Sequence, residues 1–66
     1  MNHKLLDLQE TKQASGFSRP HIYKLISLGQ FPRPIALGRR SFWIEAEINQ
    51  WIKERINERD SRLAAE

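Results

Sequence analysis

A short amphipathic pattern near the middle of the chain has both of its ends marked. Ile22, Leu25 and Ile26 recur at helical spacing and form one apolar stripe. Ser18 precedes the stripe and is a favourable N-cap residue, because its hydroxyl can accept from a free backbone N–H of the first turn. Gly29 follows it and suits a left-handed C-terminal cap. The pattern predicts a helix between these two residues.

The residues around the start of this helix predict a tight turn from a preceding helix. Phe17 and Ile22 have the spacing of a hydrophobic staple across the N-cap. Pro20 falls in the first turn, where its missing N–H costs no helical hydrogen bond. Gly16 supplies the turn. Two short helices joined this closely cross at a steep angle, as in a helix-turn-helix.

The preceding helix is predicted over about Leu8 to Ser15. Asp7 is its N-cap, and Glu10 three residues later completes a capping box. Its inward side is poor in apolar residues and includes Thr11. The Leu5-Leu6 pair before it forms either a brief strand or a plug of the core, and two residues do not decide between them.

A β-hairpin is predicted after the central helix. Pro32 and Pro34 prevent helix and impose an extended path. The runs 35–37 and 41–44 are β-prone, and Gly38-Arg39-Arg40 between them is short enough for a hairpin turn. We call this hairpin the wing, and we predict both arginines at its tip.

A last helix is predicted from about Ala46. Its apolar face ends near Ile56, beyond which we expect the helix to be exposed and frayed, and we do not expect order from about Asp60. That face consists of Ile48, Trp51, Ile52 and Ile56. Trp43 and Trp51 are expected in the core. The fold prediction is therefore a mainly α domain over residues 1–66, ordered over about 5–58, with about three helices and a two-stranded antiparallel wing.

The length and composition of the chain limit the size of its core and the kinds of site it can form. Its 66 residues allow one domain with a small core. There is no cysteine and there are two histidines, which argues against disulfides and against a zinc site. We expect no cofactor, and we see no membrane-spanning run or signal peptide, which predicts a cytoplasmic protein.

The positive charge is concentrated in the middle of the chain. Residues 11–44 contain six basic residues and no acidic residue, whereas residues 45–66 contain six acidic and four basic residues. The six are Lys12, Arg19, Lys24, Arg33, Arg39 and Arg40. This asymmetry favours a polyanionic partner. The alternative is a solubilising basic surface, but such surfaces usually mix both signs of charge.

The sequence offers no catalytic constellation. The acidic residues concentrate in the last helix, no cysteine nucleophile exists, and no serine, histidine and acid have the spacing of a triad. We therefore predict a protein that is not an enzyme. The competing hypothesis from another class is a protein-interaction module whose basic face docks an acidic partner.

Two segments, GFSRPHIYKLISLGQFPRPIALG and SFWIEAEINQWI, resemble the AlpA-like phage regulators. The matching motifs are Ser18-Arg19, Ile22-Tyr23, Gly29, Phe31-Pro32-Arg33-Pro34, Leu37-Gly38, Trp43 and Trp51-Ile52. The resemblance covers about Leu5 to Ile56. It implies a winged helix-turn-helix protein, related to excisionases and to the DNA-binding part of MerR-like proteins. It further implies a prophage-encoded regulator that acts on transcription of recombination genes or, alternatively, as an excisionase. Where the family usually has small polar residues after Ser-Arg, this chain has Pro20-His21, which bears on the target sequence.

The partner predicted from the basic segment and this resemblance is double-stranded DNA, with a second copy on an adjacent site as a further candidate. We expect no membrane, metal or small-molecule partner. The candidate recognition-helix residues are Ser18, Arg19, Pro20, His21, Tyr23, Lys24 and Ser27. Arg39 and Arg40 are the candidates in the wing, and Arg33 is a candidate for a contact with the DNA backbone. Arg19 suits a guanine edge or a phosphate, and His21 is either a base-reading residue or a solvated histidine.

Overall fold

The structure is a computed structural model that describes residues 2–65. Its elements are β1 (Leu5–Leu6), α1 (Leu8–Ser15), α2 (Arg19–Ser27), β2 (Ile35–Leu37), β3 (Arg40–Ile44) and α3 (Glu45–Ala65). This order confirms the predicted mainly α fold with a wing. That residues 1–66 form one domain stays a prediction, and residues 1 and 66 lie outside the described part.

The capping box of α1 is formed as predicted. The Asp7 carboxylate accepts from the backbone N–H of Glu10 at 2.8 Å, and the Glu10 carboxylate accepts from the N–H of Asp7 at 3.1 Å. Gly16 ends the helix in the left-handed conformation, with φ of 77°, and its N–H donates to the carbonyl of Lys12. The α1–α2 turn therefore depends on the backbone freedom of this glycine.

Both ends of α2 lie where the sequence predicts them, but the N-cap differs in detail. Ser18 has the extended conformation of an N-cap, yet its side chain makes no capping hydrogen bond. Pro20, in the first turn, lacks one of the two N–H groups that such a hydroxyl can bind, and the other, that of His21, makes no bond with it. At the other end Gln30 N–H donates to Leu25 and Gly29 N–H donates to Ile26, which together form a Schellman motif.

The strands form one antiparallel sheet in the order β1-β3-β2. Leu6 pairs with Trp43 in β3, which shows that the Leu5-Leu6 pair is a strand. In the wing Leu37 pairs with Arg40, so the turn consists of Gly38 and Arg39 alone. The prediction that both arginines stand at the tip is therefore wrong for Arg40, which is the first residue of β3. A positive φ at Gly38 makes the two-residue turn favourable.

A small core lies between the sheet and the helices. Its buried apolar members are Leu6, Ile22, Phe31, Trp43 and Ile48. Thr11 of α1 is also completely buried. The predicted core position of Trp43 is confirmed at 0% exposure, whereas Trp51 is only half-buried and packs at the edge of the core.

The segment between α2 and β2 is held by both tryptophans. The Trp43 indole N–H donates to the carbonyl of Pro32 at 3.0 Å, and the Trp51 indole N–H donates to the carbonyl of Gln30 at 2.8 Å. Between these two carbonyls Phe31 is buried, with its ring 4.9 Å from that of Trp51. The indoles therefore fix the path that leads from α2 into the wing.

The last helix extends further than the apolar pattern does. Ile56 is 44% exposed, which confirms that the apolar face ends near this residue. Helical geometry continues through Asp60 to Ala65. Residues 57–64 are exposed, as predicted, and the fraying expected beyond Ile56 stays a prediction.

Candidate nucleic-acid interface

One side of α2 is buried against the core, and the other side is exposed to solvent. Ile22 is completely buried, and Leu25 and Ile26 pack against the core. The helix contains no acidic residue. Its exposed residues are Arg19, Pro20, His21, Tyr23, Lys24 and Ser27. The structure thus places every predicted recognition-helix residue, together with the exposed Ser18, at the protein surface.

One edge of α2 faces the wing across a shallow groove, which we call the wing-side groove. It is lined by Asp7, Leu8, Gln9, Arg19, Tyr23, Arg39, Arg40 and Ser41. The Arg19 guanidinium lies 5.7 Å from the centre of the Tyr23 ring. That ring in turn meets the buried Trp43 edge-to-face at 6.3 Å. The start of α2 and the wing therefore present their arginines to one shared space.

The two wing arginines differ in their surroundings. Arg40 forms an ion pair with Asp7 at 3.3 Å, and its guanidinium lies 5.0 Å from the centre of the Phe42 ring. Within residues 2–65 no carboxylate lies within ion-pair distance of Arg39. Arg39 is exposed in the turn and available to an external anion, whereas Arg40 already has an internal one.

The opposite edge of α2 carries His21 and faces α3. The imidazole ring meets Phe17 edge-to-face at 4.5 Å. It lines a second groove whose other members are Phe17, Leu25, Gln30, Trp51, Arg55 and Glu58. The structure therefore does not bring His21 together with Arg19 and the wing, although both residues belong to the first turn of α2.

Two further candidates have local environments that limit their roles. The Ser27 hydroxyl donates to the carbonyl of Lys24 at 2.6 Å, which leaves it free only to accept from a ligand. Arg33 lines a separate groove beside Glu47 and Glu54 of α3, away from the wing-side groove.

The exposed side chains of α2 and the wing include groups that can bind anions. These are guanidinium, ammonium and phenol groups, which bind phosphate and base edges. Within residues 2–65 no cluster of histidine and acidic side chains has the arrangement of a metal site. In that same part of the chain no helix combines the length and the apolar character that crossing a bilayer requires.

Comparison with known proteins identifies the family. Residues 4–56 match the model of the prophage CP4-57 regulatory protein (AlpA) family. The chain belongs to this family. It is similar to an uncharacterised protein, ORF88, of Enterobacteria phage P4, with 35% identity over 54 residues. The aligned region covers 80% of this chain and 61% of ORF88, so the chain spans about three fifths of that relative. No solved structure matches the chain.

The AlpA match confirms the resemblance and coincides with the structural unit described above. It begins just before β1 and ends at Ile56, where the apolar face of α3 ends. It therefore includes α2, the link held by the two indoles, and the wing. The AlpA family is one of prophage regulatory proteins.

Proposed function

We propose that this AlpA-family chain binds double-stranded DNA at specific sequences and regulates transcription of recombination or excision genes in a bacterial cytoplasm. The observation that carries the proposal is the shared basic surface of α2 and the wing. Arg19, Lys24 and Arg39 are exposed there, and no described carboxylate lies within ion-pair distance of any of them. A second copy on an adjacent DNA site is part of the proposal.

In the proposed complex α2 enters the major groove with its N-terminal end toward the bases. Arg19, in the first turn, reaches a guanine edge or an adjacent phosphate. Lys24 and Tyr23 lie further along the exposed side and hold phosphates, which position the helix without reading sequence. His21 approaches from the α3 side and reads a base at the other edge of the helix.

The wing occupies the neighbouring groove. Its tip is Arg39, which enters a minor groove or binds its phosphates, and a narrow A·T-rich groove attracts such a side chain. Arg40 stands at the base of the turn and faces the wing-side groove.

Fewer phosphate contacts are expected than the six basic residues of segment 11–44 would allow. Of the six basic residues in 11–44, Arg33 lines a different groove and Arg40 is paired with Asp7. About three to four contacts remain, which gives a slope of log K against log salt of about −3 to −4. A slope near −1 would contradict binding through this surface.

The decisive experiment is selection of preferred duplexes from a random pool, followed by titration of a selected and a scrambled duplex at several salt concentrations. Enrichment of one sequence and tighter binding of the selected duplex support the proposal. Absence of duplex binding, combined with capture of a polyglutamate peptide, would instead support a protein-interaction module. The genomic positions of selected sites assign the role: promoter sites indicate transcriptional control, and clustered sites beside an attachment site indicate an excisionase.

A further inference from the structure

The Asp7 carboxylate lies in the wing-side groove and is held at both of its oxygens. Oδ1 accepts from the N–H of Glu10 at 2.8 Å, in the capping box of α1. Oδ2 faces the Arg40 guanidinium at 3.3 Å. Asp7 is the acidic residue in a groove otherwise lined by three arginines and neutral side chains. Its position is therefore fixed by the helix cap, independently of any ligand.

The ion pair between Asp7 and Arg40 lies where DNA would pass in the proposed complex. The wing-side groove lies between the first turn of α2 and the wing, the two elements proposed to enter adjacent DNA grooves. In duplex DNA a phosphate backbone separates adjacent grooves, so one strand must pass over the space between these elements. A phosphate there would bind Arg40, because guanidinium groups bind phosphate oxygens as they bind carboxylates. The positive charges of Arg19 and Arg39, which line the same groove, would attract it.

We propose that the wing-side groove is a binding site for a DNA backbone phosphate, and that Asp7 occupies part of this site in the free protein. The inference rests on the proposed DNA binding. A phosphate that approaches Arg40 competes with the carboxylate and is repelled by it. Asp7 therefore lowers the affinity of the protein for duplex DNA of any sequence, because phosphate contacts carry no sequence information.

The test is Asp7→Asn, which removes the charge and keeps a residue that caps helices equally well. Its affinity for the selected and the scrambled duplex is expected to rise by the same factor, about three- to tenfold at low salt. The salt slope should become steeper by about 0.9, which corresponds to one additional phosphate contact made by Arg40.

Glu10→Gln is the matched control. It removes the same charge from the same capping box, and Gln is also accepted at that position. Glu10 does not line the groove, so the salt slope of the Glu10→Gln variant is expected to equal that of the wild-type protein. Melting curves of both variants check that α1 is intact.

Arg40→Ala completes the design. If the carboxylate acts by occupying Arg40, Asp7→Asn should make the salt slope steeper in the wild-type background and leave the slope unchanged in the Arg40→Ala background, where only the loss of charge repulsion remains. An equal gain from Glu10→Gln, a salt slope that becomes equally steeper without Arg40, or weaker binding by Asp7→Asn would each overturn the inference while the proposed function stands. A wild-type protein that binds no duplex would overturn both.

Discussion

The indole of Trp51 donates a hydrogen bond across 2.8 Å to the backbone carbonyl of Gln30, the residue that completes the Schellman motif of α2. The contact joins α3 to the end of α2. The indole of Trp43 makes the equivalent bond to the carbonyl of Pro32, two residues after Gln30. The link between α2 and the wing is thus fixed by side chains from two different elements.

The two indole contacts should differ in energy. Trp43→Phe should lower the free energy of unfolding by about 2–4 kcal/mol, because it opens a cavity at a fully buried site and removes the donor to Pro32. Trp51→Phe should cost only about 0.5–1.5 kcal/mol, because water can replace the donor to the exposed Gln30. Urea denaturation followed by circular dichroism measures both, and equal losses would contradict this ranking.

Gly16 should be sensitive to substitution through its backbone alone. A Cβ at this position meets no atom within 4 Å, but φ is +77°. Gly16→Val should therefore destabilise by about 1–3 kcal/mol, since a β-branched residue resists this conformation. Gly16→Asn is the matched variant, because Asn tolerates the left-handed region, and its melting temperature should lie between those of Gly and Val. An unchanged melting temperature for Val would contradict the turn.

Thr11 offers a stabilising substitution. Its side chain is completely buried, and within the described residues its hydroxyl oxygen has no hydrogen-bond partner. Thr11→Val has nearly the same shape and should raise the free energy of unfolding by about 0.5–1.5 kcal/mol, because an unsatisfied buried hydroxyl is removed. Thr11→Ser keeps the hydroxyl, loses the methyl group and should destabilise. A destabilised Val variant would show that the hydroxyl is satisfied in solution.

Arg39 should contribute to holding DNA rather than reading it. Arg39→Ala should weaken the selected and the scrambled duplex alike and reduce the magnitude of the salt slope by about 0.9. Arg62→Ala, in the last turns of α3, is the control and should leave the slope unchanged. Titrations at several salt concentrations make the comparison, and an unaffected Arg39 variant would rule out the wing as a contact.

Arg19 and His21 should contribute to reading. Each replacement by Ala should cost the selected duplex about 1–3 kcal/mol and affect the scrambled duplex much less. Because the two residues lie on opposite edges of α2, their losses should be nearly additive and should fall on different base pairs. Selection with each variant locates those positions. Equal losses on both duplexes would contradict the assignment of α2 as the recognition helix.

The features that sequence predicted best are those determined by neighbouring residues. The capping box at Asp7, the turn at Gly16 and the stripe led by Ile22 each depend on spacing within a few positions, and the structure has them as predicted. The Ser18 cap is the local exception. Pro20 removes one of the two N–H donors that the Ser18 hydroxyl can bind, and nothing in the neighbouring sequence explains why that of His21 makes no bond with it.

The features that sequence missed depend on contacts between distant segments. The sequence pattern places Arg40 at the tip because it does not fix the register of the hairpin. The ion pair between Arg40 and Asp7 joins residues far apart in the chain. The indole bonds to Gln30 and Pro32 likewise required the packed structure. For the proposed interface, local pattern identified the exposed residues of α2, but it did not show that Arg19 and His21 face different grooves.

The pairing of Leu6 with Trp43 has a consequence for the order of folding. The α1–α2 turn and the wing hairpin arise from neighbouring residues, whereas this ladder forms only after the chain has closed a loop from residue 6 to residue 43. The closure costs entropy that the burial of these two side chains offsets. We therefore expect α2 and the wing to acquire their mutual geometry late. During synthesis they acquire it only after the whole of β3 has emerged from the ribosome.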